Sequence, residues 1–363
     1  MKTIKIGFSG FWRNFDPEKF CLYQVLKKHY DVQICDDPDY VICSSFRFYD
    51  YVDKPQVRIF FSSENYTPDF NLIDYGISFY PIDFLDRHYS FPCLVDSFDV
   101  IHALEGKSRA YPDSILEQKT YFASLIASHD SENNLRSELF HLLSKYKRVE
   151  SLGELLYNMP NGEKVSRADG SKREFLKKCK FTLCCESLNH GGFITEKILE
   201  ALEGDTIPIY YGSSTITDVI NRNAFINLAD FETLQDAVDR IIELDNDDEQ
   251  YLQMLRQPIF ADPDFMEKKM QGLEEFLCHI FDQPLEKAYR RCHDYMPKYY
   301  EDTLRFGKKF ICSRDRKYDI RQDLVNTRDR IVDPIIGGAK RLVGSALGDD
   351  TLSSLKQKLK DIR

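Results

Sequence analysis

The stretch from Lys180 to Ser213, KFTLCCESLNHGGFITEKILEALEGDTIPIYYGS, constrains the fold more than any other part of the chain. Residues 181–185 form an unbroken apolar run of the length of a buried strand. A polar loop with Glu186, Asn189, Gly191 and Gly192 follows it. Thr195 is a good N-cap, and Ile198, Leu199 and Leu202 recur behind it at helical spacing. A second apolar run, residues 206–211, then closes on Gly212 and Ser213. Strand, helix and strand in that order are the unit from which parallel sheets are built.

Lys197 stands out against this pattern, because it falls in the first helical turn, where the positive end of the helix dipole mildly disfavours a cation. It reads either as a lysine snorkelling to solvent or as part of a helix start that receives an anion. Glu186 at the strand end, two glycines and the Tyr211-Gly212-Ser213 turn favour the second reading. Together they describe a crevice at the carboxyl ends of parallel strands.

The same alternation runs through most of the chain. Strands are expected at residues 4–8, 32–35, 40–43, 57–61 and 75–79, with a helix at 17–29. A second series has strands at 121–127, 181–185, 206–211 and 224–227, and helices at 132–146, 172–179, from Thr195, and at 231–244. Residues 250–291 read as helical, and from Lys298 the chain turns basic and less regular. Periodicity is weak over residues 95–118, which places the domain boundary there. With 363 residues there is room for two domains, expected at 1–118 and 119–298, with a tail at 299–363.

Charge and cysteines narrow the function class. A net charge of -10 argues against general nucleic-acid binding. The ten cysteines show no CxxC pair and no histidine cluster at zinc spacing, as in a chain of reduced thiols. The N-terminal apolar run is too short for a signal peptide and no segment reaches the length of a membrane span, so a cytoplasmic protein is expected. From Thr303 to Arg363 there are 15 Lys and Arg against 8 Asp and Glu, and Leu352, Leu355, Leu359 and Ile362 share one helical stripe opposite lysines. That tail reads as a solvated extension, as an anchor at the surface of the inner membrane, or as a self-association helix.

Two segments carry a resemblance to a known family. KFTLCCESLNHGGFITEKILEALEGDTIPIYYGS resembles the donor motif of the bacterial α-1,3/4-fucosyltransferases: Phe-Glu-Asn, a loop, Tyr-Val-Thr-Glu-Lys, an apolar helix and a Pro-containing strand ending in Gly. VRIFFSSENYTPDFNLIDYGISFYPIDFLDR is similar to the Glu-Asn segment of that family's first domain. The similarity extends more weakly from about residue 4 to about residue 285. It implies an α/β, GT-B architecture of two Rossmann-like domains facing a central cleft, with the acceptor on the first and GDP-fucose on the second. It also implies inverting transfer of fucose, without a metal or other cofactor, to a GlcNAc or glucose hydroxyl in α-1,3 or α-1,4 linkage. The acceptor would be an oligosaccharide such as N-acetyllactosamine or lacto-N-biose.

Carried over residue by residue, the resemblance makes Glu64 the base, Arg136 and Lys197 the diphosphate contacts and Glu196 a contact to sugar hydroxyls. Glu186, Phe193, Thr195, Tyr211 and Gly212 would complete the donor site, with Trp12, Arg13 and Asn65 on the acceptor side. Aromatic residues such as Phe11 and Trp12 suit a sugar face and a core equally well. Phe193 replaces the family's usual Tyr, Ser187 its Asn and Cys185 its Phe, which keeps another nucleotide-sugar donor open. A non-catalytic glycan- or nucleotide-binding module is the alternative outside enzymes. Asp37-Pro38-Asp39 and Asp262-Pro263-Asp264 mimic a metal-binding DxD, but proline at the centre makes each a turn.

Overall fold

A computed structural model describes residues 1–92, 98–166, 169–292 and 294–307. The first sheet contains β1 (Lys2–Ser9), β2 (Tyr30–Ile34), β3 (Tyr40–Cys43), β4 (Val57–Ser62), β5 (Tyr75–Ser78) and β6 (His88–Ser90), with α1 (Cys21–His29) joining the first two. Its order is β2-β1-β3-β4-β5-β6. The chain then forms α2 (Phe98–Glu105) and enters the second sheet with β7 (Tyr121–Leu125), α3 (Leu135–Ser144), β8 (Val149–Ser151), α4 (Ser171–Leu176) and β9 (Cys179–Cys185). It continues through α5 (Glu196–Glu203), β10 (Ile207–Tyr211), β11 (Ile226–Asn227), α6 (Leu234–Asn246) and α7 (Asp248–Leu255) to α8 (Phe265–Asp282) and α9 (Leu285–Ala288). The second order is β11-β10-β9-β7-β8.

Neighbouring strands pair in parallel in both sheets. This follows from composition: β4 and β10 are buried along nearly their whole length, as strands covered on both faces must be. In each sheet the order reverses beside the first strand, so β1 lies between β2 and β3, and β7 between β8 and β9. Chain leaving β1 and β3, or β7 and β9, diverges to opposite faces and leaves a crevice at the carboxyl ends. The architecture is GT-B, and each half carries its own switch point.

The division drawn at residues 118 and 298 shifts in two places. Residues 98–105, grouped with the first domain, form a helix whose Ile101 and Leu104 pack beside Ile198 and Leu202 of α5 and Tyr210 of β10. Residues 265–291, grouped with the second, return to the first sheet: Leu273, Leu277, Ile280 and Phe281 of α8 share a core with Ile4, Tyr30 and Tyr40. Lys2 Nζ donates to Phe281 O at 2.6 Å, and Tyr30 Oη donates to Asp282 at 2.8 Å. Periodicity shows that a helix has an apolar face; it does not say which of two sheets that face covers.

Smaller departures have local causes. β6 and β8 are three-residue strands, HYS and VES, too short and polar to show alternation. The helical reading of 250–291 breaks between α7 and α8, where Pro258 and Pro263 deny the backbone its donors. Residues 294–307 belong to a separate unit and are helical from 295, where a less regular chain was expected. The rest of the basic tail, with its leucine stripe, lies outside the described residues. Eight cysteines among the described residues are unbridged. Among the described residues no helix is long and apolar enough to cross a membrane.

Candidate active site

The start of α5 is organised by one buried carboxylate. Glu186 follows β9, and its amide donates to Tyr211 O at 2.7 Å, extending the ladder one residue past the strand. Its side chain is fully buried. Oε1 accepts from the Thr195 amide at 2.8 Å, and the Thr195 hydroxyl lies 2.8 and 2.9 Å from the two carboxylate oxygens. Lys197 Nζ donates to Oε2 at 2.9 Å and to Thr195 Oγ1 at 2.7 Å. A Cβ on Gly212 would stand 2.6 Å from Glu186 Cγ, so the glycine that ends β10 makes room for this carboxylate. Glu186, Thr195 and Gly212 therefore hold Lys197 in place and do not line the cleft.

This geometry answers why a lysine occupies the first turn: it neutralises a buried acid while its ammonium remains partly open to the cleft. Burial pushes the Lys197 ammonium down, but Glu186 and Glu196 outweigh it and hold it above its ordinary value. Burial likewise pushes the Glu196 carboxyl up, but Lys197 at 3.7 Å, its own backbone amide, Lys172 and Thr195 together hold it below its ordinary value, so Glu196 stays ionised. No side chain caps α5, since the Thr195 hydroxyl is turned toward Glu186.

Arg136 arrives from α3 on the other side of the switch point. It is buried, and its Nε and Nη2 donate to Cys185 O at 3.0 and 2.6 Å while Nη1 donates to His129 O. The guanidinium thus ties the end of β9 to the loop after β7. Asp130 fixes the start of α3 by accepting from the Ser131 and Arg136 amides at 2.8 and 3.1 Å.

Arg136, Glu196 and Lys197 line one open cleft of about 860 Å3 at the carboxyl ends of β7, β8 and β9. Ser187 and Lys172 join them there. Lys172 repeats the pattern of Lys197, since its ammonium pairs at 2.5 Å with the buried Glu200, one turn along α5 from Glu196. The sequence reading missed Lys172, whose short helix α4 carries no motif.

Phe193, Tyr211 and Gly191-Gly192 serve differently from the donor roles expected of that loop. Gly192 adopts φ +84°, and a Cβ on it would lie 2.2 Å from Phe79 O, just beyond β5 of the first sheet. Its amide donates to Ser213 Oγ at 2.8 Å. The Phe193 ring is buried with its centroid 5.1 Å from that of Phe79, so a ring expected on the donor packs on the opposite domain. Tyr211 Oη accepts from Asn189 at 3.4 Å and lies off the cleft wall. The glycine pair lets the loop after β9 touch the segment after β5 of the first sheet.

On the first domain, Glu64 follows β4 with its carboxylate exposed and without a partner among the described residues. The turn carrying it is fixed by Ser62, whose hydroxyl accepts from the Glu64 amide at 3.1 Å. Asn65 Oδ1 accepts from Tyr80 Oη, and the Tyr80 ring stacks on Phe79 at 4.4 Å. Glu64 and Asn65 are thereby linked to the segment that touches Gly192. Trp12 and Arg13 follow β1 at the other switch point. Trp12 packs edge-on against Phe11, Phe15 and Phe46 as the outer member of an aromatic cluster, while Arg13 is exposed. Of the two DxD look-alikes, Asp262 caps a turn, accepting from the Asp264 amide at 3.0 Å and from Lys268 at 2.6 Å.

Comparison with known proteins gives two domains in the same order, with residues 265–291 counted in the second. Residues 6–95 match the Alpha-(1,3)-fucosyltransferase FucT N-terminal domain, and residues 116–295 match the Glycosyltransferase family 10 (fucosyltransferase) C-term model. Alpha-(1,3)-fucosyltransferase FucT of Helicobacter pylori is 28% identical over 296 residues, covering 69% of this chain and 59% of that protein. A 4-galactosyl-N-acetylglucosaminide 3-alpha-L-fucosyltransferase of Homo sapiens is 29% identical over 150 residues, 40% of each chain. The chain thus spans well under two thirds of either relative. Its fold is similar to a crystal structure of alpha1,3-fucosyltransferase, with a TM-score of 0.63 at 23% identity, covering 81% of this chain and 93% of that one. The same fold crystallised with GDP-fucose gives 0.60 at 24% identity over 76% of this chain and 91% of that one. With both domains matched in order, the chain belongs to glycosyltransferase family 10, the fucosyltransferases.

Proposed function

We propose that this chain transfers L-fucose from GDP-fucose, with inversion, to a GlcNAc or glucose hydroxyl of an oligosaccharide in α-1,3 or α-1,4 linkage. The observation that carries the proposal is the pair of cations, Arg136 and Lys197, on one cleft at the carboxyl end of the second sheet. Glu64, whose carboxylate has no partner among the described residues, stands at the carboxyl end of one sheet, and the Lys197 ammonium stands beside Arg136 at the carboxyl end of the other. Glu64 takes the proton from the acceptor hydroxyl as its oxygen bonds to the anomeric carbon. The bond from that carbon to the β-phosphate oxygen breaks, and its electron pair leaves with GDP. Lys197, held by Glu186, meets the charge that develops on the diphosphate; a cation fixed beforehand need not reorganise during the reaction. The donor being a diphosphate ester, these side chains supply positive charge without a metal in the proposed step.

The test is release of GDP from GDP-fucose with EDTA present, using N-acetyllactosamine and lacto-N-biose in separate assays. Turnover is expected to survive EDTA and to fall about 100-fold or more in Glu64→Gln, the usual size of a lost general base. Turnover lost to EDTA would require a metal in the step. Tight GDP binding without turnover on either acceptor would favour a binding module.

A further inference from the structure

Most charged groups on the cleft wall are paired within the protein, and one carboxylate is not. Asp130 caps α3, and Glu196 lies 3.7 Å from Lys197. Glu154 lines the same cleft, is exposed, and has no hydrogen bond or ion pair among the described residues. Its position is nonetheless fixed. Gly153 presses against β7's exit, where a Cβ would lie 2.1 Å from Ala127 O, and the Leu155 amide donates to that same oxygen at 3.0 Å. Asn158 closes the loop from below: Oδ1 accepts from the Ser151 amide at 2.8 Å and Nδ2 donates to Val149 O at 2.8 Å. The loop also projects the Tyr157 ring onto the cleft wall, 38% exposed, with its hydroxyl donating to Glu163 O at 2.9 Å.

We infer that Glu154 reads the nucleobase and selects guanine, with Tyr157 offering the ring face against which the base stacks. This rests on the nucleotide-sugar reading of the cleft. Adjacent strands stand about 4.8 Å apart, and β8 is two places from β9 in the sheet. The ends of β8 and β9 are therefore roughly 10 Å apart, with Glu154 on the loop after one and Lys197 beyond the other. A ribose fits between them, above the loop after β7. Guanine is the common base whose pairing edge carries two neighbouring donors, N1–H and the 2-amino group, and a carboxylate accepts both at once. Uracil places carbonyl oxygens on both sides of its N–H, and adenine sets a ring-nitrogen acceptor beside its amino group. An unpaired carboxylate repels those acceptors, so the group that attracts guanine also excludes the others.

The experiment is equilibrium binding of GDP, IDP and UDP to the full chain and to Glu154→Gln. IDP differs from GDP only in lacking the 2-amino group. The wild type is expected to bind GDP about tenfold more tightly than IDP, the size of one hydrogen bond to a charged partner, and to bind UDP more weakly still. In Glu154→Gln the GDP-to-IDP ratio should fall below about threefold, with the loss falling on GDP. Because Glu154 is exposed, an unchanged thermal midpoint is expected for the variant. A variant that keeps the wild-type ratio would overturn the assignment of Glu154, as would a wild type that binds the three nucleotides equally. A wild type that binds none of them would remove the nucleotide reading of the cleft and this inference with it.

Discussion

The carboxyl ends of the two sheets are built on opposite terms. On the second domain, Lys197 and Arg136 are each anchored by the protein, one to a fully buried carboxylate and the other to the carbonyls of Cys185 and His129. On the first domain, Glu64 projects from a short turn with its carboxylate exposed and without a partner among the described residues. In the proposed transfer a departing diphosphate presents the same charge in every turnover, so its partners gain from being fixed in advance. A base that serves an incoming hydroxyl is positioned with help from the acceptor itself. Substitutions on the donor wall should therefore disturb stability as well as binding, and those on the acceptor wall should disturb turnover alone.

The largest test of that contrast is Lys197→Ala. A lysine that merely faced solvent could be lost with little effect on stability. Here its removal leaves Glu186 buried without its cation, which costs about 3 kcal/mol, and weakens GDP binding as well. Thermal or urea unfolding of Lys197→Ala beside the double variant Lys197→Ala/Glu186→Gln reads both effects. The neutral amide should restore part of the stability and none of the GDP affinity. If Lys197→Ala unfolds with the wild type, the ammonium is not needed to neutralise Glu186, and the donor wall is less rigid than its hydrogen bonds indicate.

How far the sequence anticipates this depends on the range of each interaction. The strand-loop-helix-strand run at 180–213 is local and continuous, so its apolar runs and the helix start at Thr195 are legible from spacing alone, although the Thr195 hydroxyl caps nothing. Glu64 and Lys197 are legible as candidates because each follows a strand or opens a helix in a recognisable motif. The partner of Lys197 is not, since Glu186 lies 11 residues away and nothing in spacing distinguishes a carboxylate that binds a ligand from one that binds a lysine. Gly192 misleads in the same way: a glycine permits close approach, and only the fold shows that what approaches is Phe79. Short strands such as β6 and β8 carry too few residues for periodicity, and Glu154 sits in a loop whose Asn158 bonds cannot be read from sequence.

Tyr80→Phe sharpens the comparison with a smaller effect. The hydroxyl of Tyr80 bonds to Asn65 next to Glu64, while its ring stacks on Phe79 against the donor loop. Phenylalanine keeps the stack and deletes one hydrogen bond worth about 1 kcal/mol. The expected result is a kcat about fivefold lower with the GDP dissociation constant unchanged. An equal loss in GDP affinity would mean that Tyr80 supports the donor loop rather than the turn that carries Glu64.

The smallest expected effect is a pH dependence that should be nearly absent. Burial pushes Glu196 up, but Lys197, its own backbone amide, Lys172 and Thr195 together hold it below its ordinary value of 4.5. What it contributes is present above that ordinary value and is lost only as pH falls through the lowered one. Lys197 is held above its ordinary value of 10.5, because Glu186 and Glu196 outweigh the downward push of burial. What it contributes is present below that value and is lost only as pH rises through the raised one. Neither group changes charge between about pH 5 and pH 10, and the phosphates of GDP-fucose, esterified at both ends, do not titrate there either. Affinity for GDP-fucose without acceptor should thus vary less than about threefold from pH 5.5 to 8.5, while turnover is free to vary through the acceptor wall. His129 also lines the cleft, with its ring exposed, so His129→Gln is the control. A step in affinity that vanishes in His129→Gln would add a titrating cation to the donor wall, and one that persists would mean that the Glu186, Glu196 and Lys197 network does not hold its charges as the geometry requires.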